Sequence, residues 1–410
     1  MFLTMDDFDF KDKVTLVRID INSPIDPETK RILNDTRIRR HAQTIKELSD
    51  KGAKVVVLAH QGRPGSKDFT PLKEHAELLA KAVGKTVKYV DDIYGKKAQE
   101  AIKSLKSGEI LVLENVRMAP EEMKKVTPEE HAESEFVKTL SKLGDVFVND
   151  AFAAAHRSQA SIVGFAEVLP SVAGRIMERE LKALGRVLSE PEKPCVYVMG
   201  GAKADDSLKI SKYVLDNDIA DSVLTGGVCG HLFMAAEGVD LGKPNMDFLE
   251  KSNVMDLIPG IRELMNKYPG KIFAPVDVAV EVDGKRKELD KEDLPTEYPI
   301  YDIGSKTIEK YTEIIKKAKS IVVSGPMGVY ENEEFRKGTK EILQAVADSE
   351  AFSLIGGGHT IAATTEFGLA DKMSYISTAG GALIEFLMGG KLPGVVALEK
   401  SAERLKGNKS

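Results

Sequence analysis

The chain has 410 residues and a formal net charge of -6, with lysine and glutamate interspersed; its length suits two domains of roughly 150 to 200 residues, and its charge argues against a generic nucleic-acid or acidic-membrane surface while permitting a local basic cleft. Cys195 and Cys229 are the only cysteines, each within or beside an apolar run, so buried thiols in a reducing cytosol are expected in place of a disulfide, a redox centre or a metal site. The N-terminus is acidic without an apolar core of signal-peptide length and no stretch approaches the roughly 18 apolar residues of a membrane span, which leads to the expectation of a cytoplasmic protein with no membrane and no nucleic-acid partner.

In the first half, short β-rich runs end on cationic or polar residues. Val14 to Val17 runs into Arg18, Asp20 and Asn22, Val55 to Ala59 into His60 and Arg63, Ile110 to Leu113 into Glu114, Asn115 and Arg117, and Val146 to Val148 into Asn149 and Asp150. Helical patterns at Arg37 to Ser49, Leu72 to Ala82 and Pro128 to Leu143 separate them. Strands alternating with helices predict a doubly wound parallel α/β domain over residues 1–170. Near Leu169 and Pro170 the pattern changes to a long helix with Met177, Leu181, Leu184 and Leu188 on one face, Ser171 as its N-cap and Pro191 as its stop. Such a helix suits a hinge between domains.

A second α/β set fills the domain expected over 171–392. Here the runs end on glycine: Val196 to Met199 meets Gly200 and Gly201, Val223 to Thr225 meets Gly226 and Gly227, and Ile321 to Ser324 meets Gly325 and Pro326. Phe352 to Ile355 meets Gly356, Gly357 and Gly358, Tyr375 to Thr378 precedes Gly380 and Gly381, and Ile272 to Ala274 leads instead to Pro275 and Asp277. The charged stretch from Val280 to Tyr298 contains Asp283-Gly284 and reads as a hairpin away from the chemistry. The fold class predicted is thus two doubly wound, Rossmann-like parallel-sheet domains.

Open parallel sheets bind ligands at the carboxyl ends of their strands. The first half brings Arg18, Arg37, His60, Arg63, Arg117, His156 and Arg157 to that edge or near it, and several guanidinium forks around one site suit a small ligand carrying phosphate and carboxylate. Asp20 and Asn22, two apart, point the same way and could accept from and donate to a hydroxyl. In the second half, Gly200-Gly201-Ala202-Lys203 would let backbone amides approach a phosphate beside a lysine, and Gly356 to Gly358 with His359 and Thr360 open a helix whose N-terminus favours an anion. Gly226-Gly227 is as consistent with an ordinary turn. No Ser-His-Asp motif, zinc spacing or dinucleotide fingerprint is present.

These residues, in this order, closely resemble the phosphoglycerate kinase family. The match runs through Arg18 to Pro24, Asp35 to Arg37, His60 to Pro64, Glu114 to Arg117, Asn149 to Phe152, His156-Arg157, Gly200 to Lys203, Asp302 to Gly304, Gly325 to Glu331, Gly356 to Gly358 and Ser377-Thr378. The resemblance implies reversible phosphoryl transfer, in glycolysis and gluconeogenesis, between ATP and the carboxylate of 3-phosphoglycerate, giving ADP and 1,3-bisphosphoglycerate after hinge closure. It implies that Asp20, Ile21, Asn22, Arg37, His60, Gln61, Gly62, Arg63, Arg117 and Arg157 hold the phosphoglycerate. Gly200, Gly201, Lys203, Gly325, Pro326, Gly357, Gly358, His359 and Thr360 would hold the nucleotide, with Glu331 at the ribose. Arg37, Lys203 and Lys209 are the catalytic candidates. ATP or ADP is a substrate, Mg²⁺ travels with it, and no resident metal site is expected. The family's chain also returns to its first domain, which implies the same for 393–410.

The chemistry agrees: a carboxylate with a reference pKa of about 4 is already ionised at neutral pH and needs no general base. Two positions depart from the family pattern. His359 stands where the family usually has a Mg²⁺-contacting aspartate, a role open to Asp205 or Asp206, and Ser207 stands where a second lysine is usual, with Lys209 nearest. The absence of tryptophan, the many charges and His359 resemble archaeal members. A kinase for another carboxylate and a non-catalytic two-lobed binding protein are the alternatives, and either a monomer or a homodimer fits.

Overall fold

Ten of the apolar runs form parallel strands, in a computed structural model that describes residues 1–407. By its internal contacts the chain divides into two units, Met1–Leu181 with the segment from Lys391 onward, and Lys182–Gly390.

The first unit is built on β1 (Val14–Arg18), β2 (Lys54–Leu58), β3 (Val87–Tyr89), β4 (Ile110–Val112), β5 (Val146–Asn149) and β6 (Ser171–Ala173). They lie in the order β3-β4-β2-β1-β5-β6, all parallel. The chain winds from β1 toward β2 and β4, then restarts on the other side with β5, so the order reverses between β1 and β5, the place where such sheets open a crevice. Register puts Arg18 opposite Leu58 of β2 and Asn149 of β5. The loops leaving these three strands therefore emerge at one edge.

Both sheet faces are covered, so the strands read as apolar runs without alternation. Leu16, Val56, Leu58 and Phe147 enter one core, and Val17, Val55, Val57 and Val148 the other. Two expected helices differ. The Pro128 to Leu143 segment is two helices, Pro128–Ala132 and Glu135–Ser141, because Ser134 Oγ accepts from Val137 N at 3.3 Å and starts a new one. The long helix spans Arg175–Leu188, and Ser171 is not its N-cap but begins β6. Its cap comes from far away in sequence: Asp150 Oδ1 accepts from Ile176 N at 2.7 Å and Met177 N at 3.3 Å. The unit boundary falls inside this helix. The Pro393–Gly407 helix belongs to the first unit, where Gly394 N donates to Ala155 O at 2.9 Å and Ser171 N to Ser401 Oγ at 3.0 Å.

The second unit contains β7 (Cys195–Met199), β8 (Ser222–Thr225), β9 (Ile272–Phe273), β10 (Asp277–Val282), β11 (Lys285–Asp290), β12 (Ile300–Ile303), β13 (Ser320–Ser324), β14 (Phe352–Gly356) and β15 (Tyr375–Ile376). Its main sheet runs β15-β14-β13-β7-β8-β9, and the order reverses between β7 and β13, where Gly200 and Gly325 follow their strands. A second sheet, β11-β10-β12, is antiparallel, and its hairpin turns at Asp283 and Gly284 with φ of 51° and 76°. Two positive φ values are what an Asp-Gly hairpin turn requires. Cys195 and Cys229 are free and buried, and burial pushes both thiols up to about 12. No helix among the described residues is long and apolar enough to cross a membrane.

Candidate active site

At the edge of the first sheet, one buried arginine organises the others. Arg18 is fully buried; its Nε donates to Ser161 Oγ at 2.8 Å and its Nη2 to His60 Nδ1 at 2.8 Å. Ser161 in turn bonds the buried carboxylate of Glu122 through its N (2.8 Å) and Oγ (2.6 Å). A guanidinium cannot accept a hydrogen bond, so His60 Nδ1 is the acceptor and the ring carries its proton on Nε2. Burial and then the Arg18 charge hold the His60 pKa well below its usual value. His60 is thus a neutral donor of fixed tautomer.

Asp20 is buried, which opposes its ionisation, yet Arg37, His60, His41 and Arg18 outweigh that cost and bring its pKa down to about 2. Arg37 Nη1 donates to Asp20 Oδ2 at 2.8 Å while the Arg37 side chain remains 39% exposed. Asp20 Oδ1 accepts from Asn22 N at 3.1 Å, and Asn22 Oδ1 from Gly62 N at 2.8 Å. These bonds join the loops after β1 and β2.

Arg117 is the sharpest feature of this edge. It is 4% exposed, its Nη1 donates to Gly62 O, and its Nε and Nη2 are buried without a hydrogen-bond partner. Burial, then Arg157 and Arg18, lower its pKa to about 10. Burial and Arg63 likewise lower Arg157. Buried donors facing other cations cost free energy unless an anion completes them, so the arrangement is suited to an anion.

Some residues implied by the resemblance serve the scaffold. Gln61 is fully buried and its side chain is spent: Oε1 accepts from Ser23 N (2.8 Å) and lies 2.9 Å from His75 Nε2, while Nε2 donates to Ser23 O (3.0 Å) and Asp68 O (3.1 Å). Ile21 is a core side chain. Both can offer a ligand only backbone. Asn115 Nδ2 ties Gln61 O (2.8 Å) to Thr70 O (2.9 Å), and Gly62, at φ 66°, lies so close to Asp68 and Phe69 backbone that a Cβ would overlap them.

In the second unit the glycines hold the loops to one another. Gly200 N donates to Ser324 O and Gly201 N to Pro326 O, both at 2.8 Å, and Gly227 N to Met327 O at 2.8 Å. Those amides are therefore not free for a phosphate. A Cβ on Gly200 would overlap Pro326 O, and one on Gly325 (φ 95°) would overlap Gly200 O. The glycines let the loops after β7, β8 and β13 interlock backbone against backbone. Anion-binding amides are left at helix N-termini: Gly357, at φ 85°, caps the Gly358–Glu366 helix, and Lys203 caps Ala204–Asp216. Thr360 Oγ1 accepts from Gly325 N at 2.7 Å and so fixes the triple-glycine turn to the interlock.

Beside this interlock lies a cavity of about 500 Å³ lined by Gly201, Ala202, Gly227, Val228, His231, Pro244, Asn245, Phe248, Pro299 to Tyr301, Pro326, Gly328, Val329, Glu331 and His359. His359 Nδ1 lies 3.7 Å from Glu331 Oε1. Asn245 is saturated by Leu241 O (2.9 Å), Tyr298 O (3.0 Å) and Ile300 N (2.8 Å), and burial pushes His231 down to about 4, so its ring is neutral. Sequence reasoning missed His231, Phe248, Tyr301 and Val329, which come from scattered segments. The one sequence-level signal was an aromatic, Phe248, on the polar side of the Lys243–Lys251 helix, 50% exposed.

Lys203 is exposed, and its side chain makes no hydrogen bond or ion pair among the described residues. Lys209 Nζ pairs with Asp205 Oδ2 at 2.5 Å, one turn back, and Ser207 is buried. No group of three or more metal-ligating side chains occurs among the described residues.

A family model for phosphoglycerate kinase matches residues 5–390. Phosphoglycerate kinases of Methanothermobacter thermautotrophicus and Methanobacterium bryantii are each 51% identical to the chain, over 400 residues (98% of this chain, 97% of the relative) and 408 residues (100% and 99%). The crystal structure of phosphoglycerate kinase from Pyrococcus horikoshii OT3 has a TM-score of 0.86 at 44% identity, covering 98% of this chain and 99% of that one. The enzyme from Coxiella burnetii gives 0.85 at 34% identity with the same coverage. With its strand-end residues in place and its whole length matched, the chain belongs to the phosphoglycerate kinase family.

Proposed function

We propose that the chain carries out the family's reaction, reversible transfer of a phosphoryl group between ATP and the carboxylate of 3-phospho-D-glycerate, with the roles divided between its halves. The first domain, with the returning C-terminal segment, binds phosphoglycerate. Arg63, Arg117 and Arg157 take the phosphate, His60 Nε2 and Asn22 donate to its oxygens or hydroxyl, and Arg37, oriented by Asp20, meets the reacting carboxylate. The observation that carries this is Arg117, buried with two unpartnered donor nitrogens among other guanidiniums. The second domain takes the nucleotide base in the apolar cavity, the ribose at Glu331 and the phosphates at the Gly357-Gly358-His359 helix start and Lys203.

The nucleophile is a carboxylate, so catalysis consists of alignment and stabilisation of charge on the equatorial oxygens, the work of Arg37, Lys203 and backbone amides. Lys209 is the candidate second cation. Mg²⁺ prefers oxygen ligands; with His359 beside Glu331, the oxygens available from this chain are carboxylates such as Asp206, and the nucleotide phosphates supply the rest. Bound Mg²⁺ would neutralise phosphate charge. The protein acts in the cytoplasm on free small molecules, as a monomer or homodimer. The test is hydroxamate formation from Mg-ATP and 3-phosphoglycerate with hydroxylamine as acyl-phosphate trap, omitting one component at a time. Product that needs every component supports the assignment, and none, with both ligands bound, refutes it.

A further inference from the structure

The charged hairpin β10–β11, which the sequence places away from the chemistry, is tied by Arg286 and Lys285 to the loop that lines the cavity. Arg286 on β11 spends its whole fork: Nη1 donates to Asp302 Oδ2 at 2.7 Å, Nη2 to Ile303 O at 2.8 Å, and Nε and Nη2 to Glu288 Oε1 at 3.1 and 2.9 Å. The Asp302 carboxylate is wholly buried and also accepts Gly338 N at 2.7 Å and Ile303 N at 2.9 Å. Glycine is required at 328 and 338 because a Cβ at either would overlap Asp302. The carboxylate therefore presses against the backbone on both sides of the loop from Pro326 to Phe335.

That loop is hung on the small sheet at two places and on the Lys337–Asp348 helix at a third. Val329 N donates to Tyr301 O at 2.8 Å; Glu334 accepts from Lys285 Nζ at 2.9 Å and from Arg286 N at 3.2 Å; Met327 N donates to Thr339 Oγ1 at 3.0 Å. Between these anchors lie Val329 and Glu331, which line the cavity together with Tyr301. Burial outweighs Arg286 and raises the Asp302 pKa to about 6, so the carboxylate relies on the Arg286 fork and the two backbone N–H groups to stay ionised.

We propose that Arg286 and Asp302 are positioning residues for the nucleotide: their clamp fixes the loop that carries Val329 and Glu331 without touching the ligand. The inference rests on the cavity being the nucleotide site. It predicts that Arg286→Met, which keeps the apolar stem and loses the fork, raises KM and Kd for Mg-ATP by about tenfold, as misplaced binding groups do, while kcat and the KM for 3-phosphoglycerate stay within about twofold. Asp290→Ala on the same hairpin, which breaks only the 2.6 Å pair with Lys306, should leave all three unchanged. Glu334→Gln, a milder lesion at the loop's outer anchor, should shift the ATP constants in the same direction.

Steady-state kinetics, calorimetric ATP binding and thermal unfolding on the full chain decide the matter. A lowered Tm with ATP constants no different from those of Asp290→Ala, or a parallel change in both KM values and kcat, overturns the positioning role. If Arg286→Met does not fold, an unshifted ATP Kd in Glu334→Gln overturns it. Absence of ATP binding by the unmodified protein refutes the nucleotide reading itself and the inference with it, whereas normal ATP binding by both the unmodified protein and Arg286→Met refutes only the inference.

Discussion

After β1, β2 and β4 the chain places imidazole and guanidinium groups, and it holds them with buried side chains: Arg18 fixes His60, Asp20 fixes Arg37, and Gln61 and Asn115 fix the loop at Gly62. After β7, β8 and β13 it places glycines, and the loops hold one another by backbone contact. Both edges are where a parallel sheet reverses its strand order, yet one is built from side chains on a polar scaffold and the other mainly from backbone packed on backbone. The two should fail in opposite ways when altered. The first should lose function by losing atoms, and the second by gaining them.

The largest effect expected is from adding one methyl group in the second unit. Gly200→Ala puts its Cβ into Pro326 O, and Gly325→Ala into Gly200 O at a φ of 95° that also disfavours any side chain. Neither backbone can yield without breaking the Gly200 N and Gly201 N bonds, so each should cost more than about 4 kcal/mol, the range reserved for disrupted cores and strained backbones. Denaturant unfolding measures it. Gly65→Ala in the first unit, at φ 86° with nothing near its Cβ, isolates the backbone term and should cost only about 1 kcal/mol. Equal losses at Gly65 and Gly200 would mean that the interlock contributes nothing beyond φ.

Arg117→Ala should do the reverse. Truncating a buried group that pairs with a charged ligand costs about 2 to 5 kcal/mol of binding, which is a rise of about 30-fold or more in the KM for 3-phosphoglycerate. Stability should change by less than about 1 kcal/mol, because the lost bond to Gly62 O is offset by relief of repulsion from Arg157 and Arg63. A large fall in Tm would show that Arg117 is structural.

The same contrast explains what the sequence disclosed. The ends of β1, β2, β4 and β5 were legible because strand and functional side chain are adjacent in sequence, and the sheet order follows from connection rules that local pattern already constrains. Gly200 and Gly201 were found, but the engagement of their amides was not, since whether an amide is free depends on Ser324 and Pro326, more than a hundred residues away. The cap on the Arg175–Leu188 helix was missed for the same reason, Asp150 lying just past β5. The cavity was legible only in part: Gly201, Pro326, Glu331 and His359 were named from the sequence, whereas His231, Phe248 and Tyr301 share no spacing with them and only the fold gathers them.

A smaller, pH-linked effect belongs to the side-chain scaffold. His75 Nε2 donates to Gln61 Oε1 while Nδ1 is buried without a partner, and burial lowers the pKa from 6.5 to about 4. A histidine pKa that is lower folded than unfolded contributes stability above the unfolded value, and this is lost as pH falls from 6.5 toward 4. At 1.36 kcal/mol per unit the loss reaches about 3 kcal/mol. Asp20, depressed from 3.8 to about 2, adds a second loss only below pH 3.8. Urea midpoints measured against pH should therefore fall between pH 6.5 and 4 for the unmodified chain and fall less for His75→Gln, which keeps the donor to Gln61 but cannot be protonated. Identical slopes would remove His75 from the acid response.

The smallest expected effect concerns Lys209, the second of the two lysines that come after the glycine interlock. Lys203 caps its helix and is free of pairing, whereas the Lys209 ammonium is 57% exposed and shared with Asp205 one turn back. An exposed ion pair is weak and readily exchanged, so Lys209 can leave Asp205 for a phosphate, but its contribution to the transition state is diluted by solvent and by that competition. Lys203→Ala should lower kcat by about 100-fold, as expected for loss of a preorganised charge at the transferring group, and Lys209→Ala by no more than about fivefold. Asp205→Ala should raise kcat slightly by releasing Lys209, and the gain should vanish in the Asp205→Ala/Lys209→Ala double variant. If Lys209→Ala turns over normally and Asp205→Ala has no effect that depends on Lys209, phosphate-side catalysis in this unit rests on Lys203 and backbone amides alone, which would make the contrast with the arginine-rich edge sharper still.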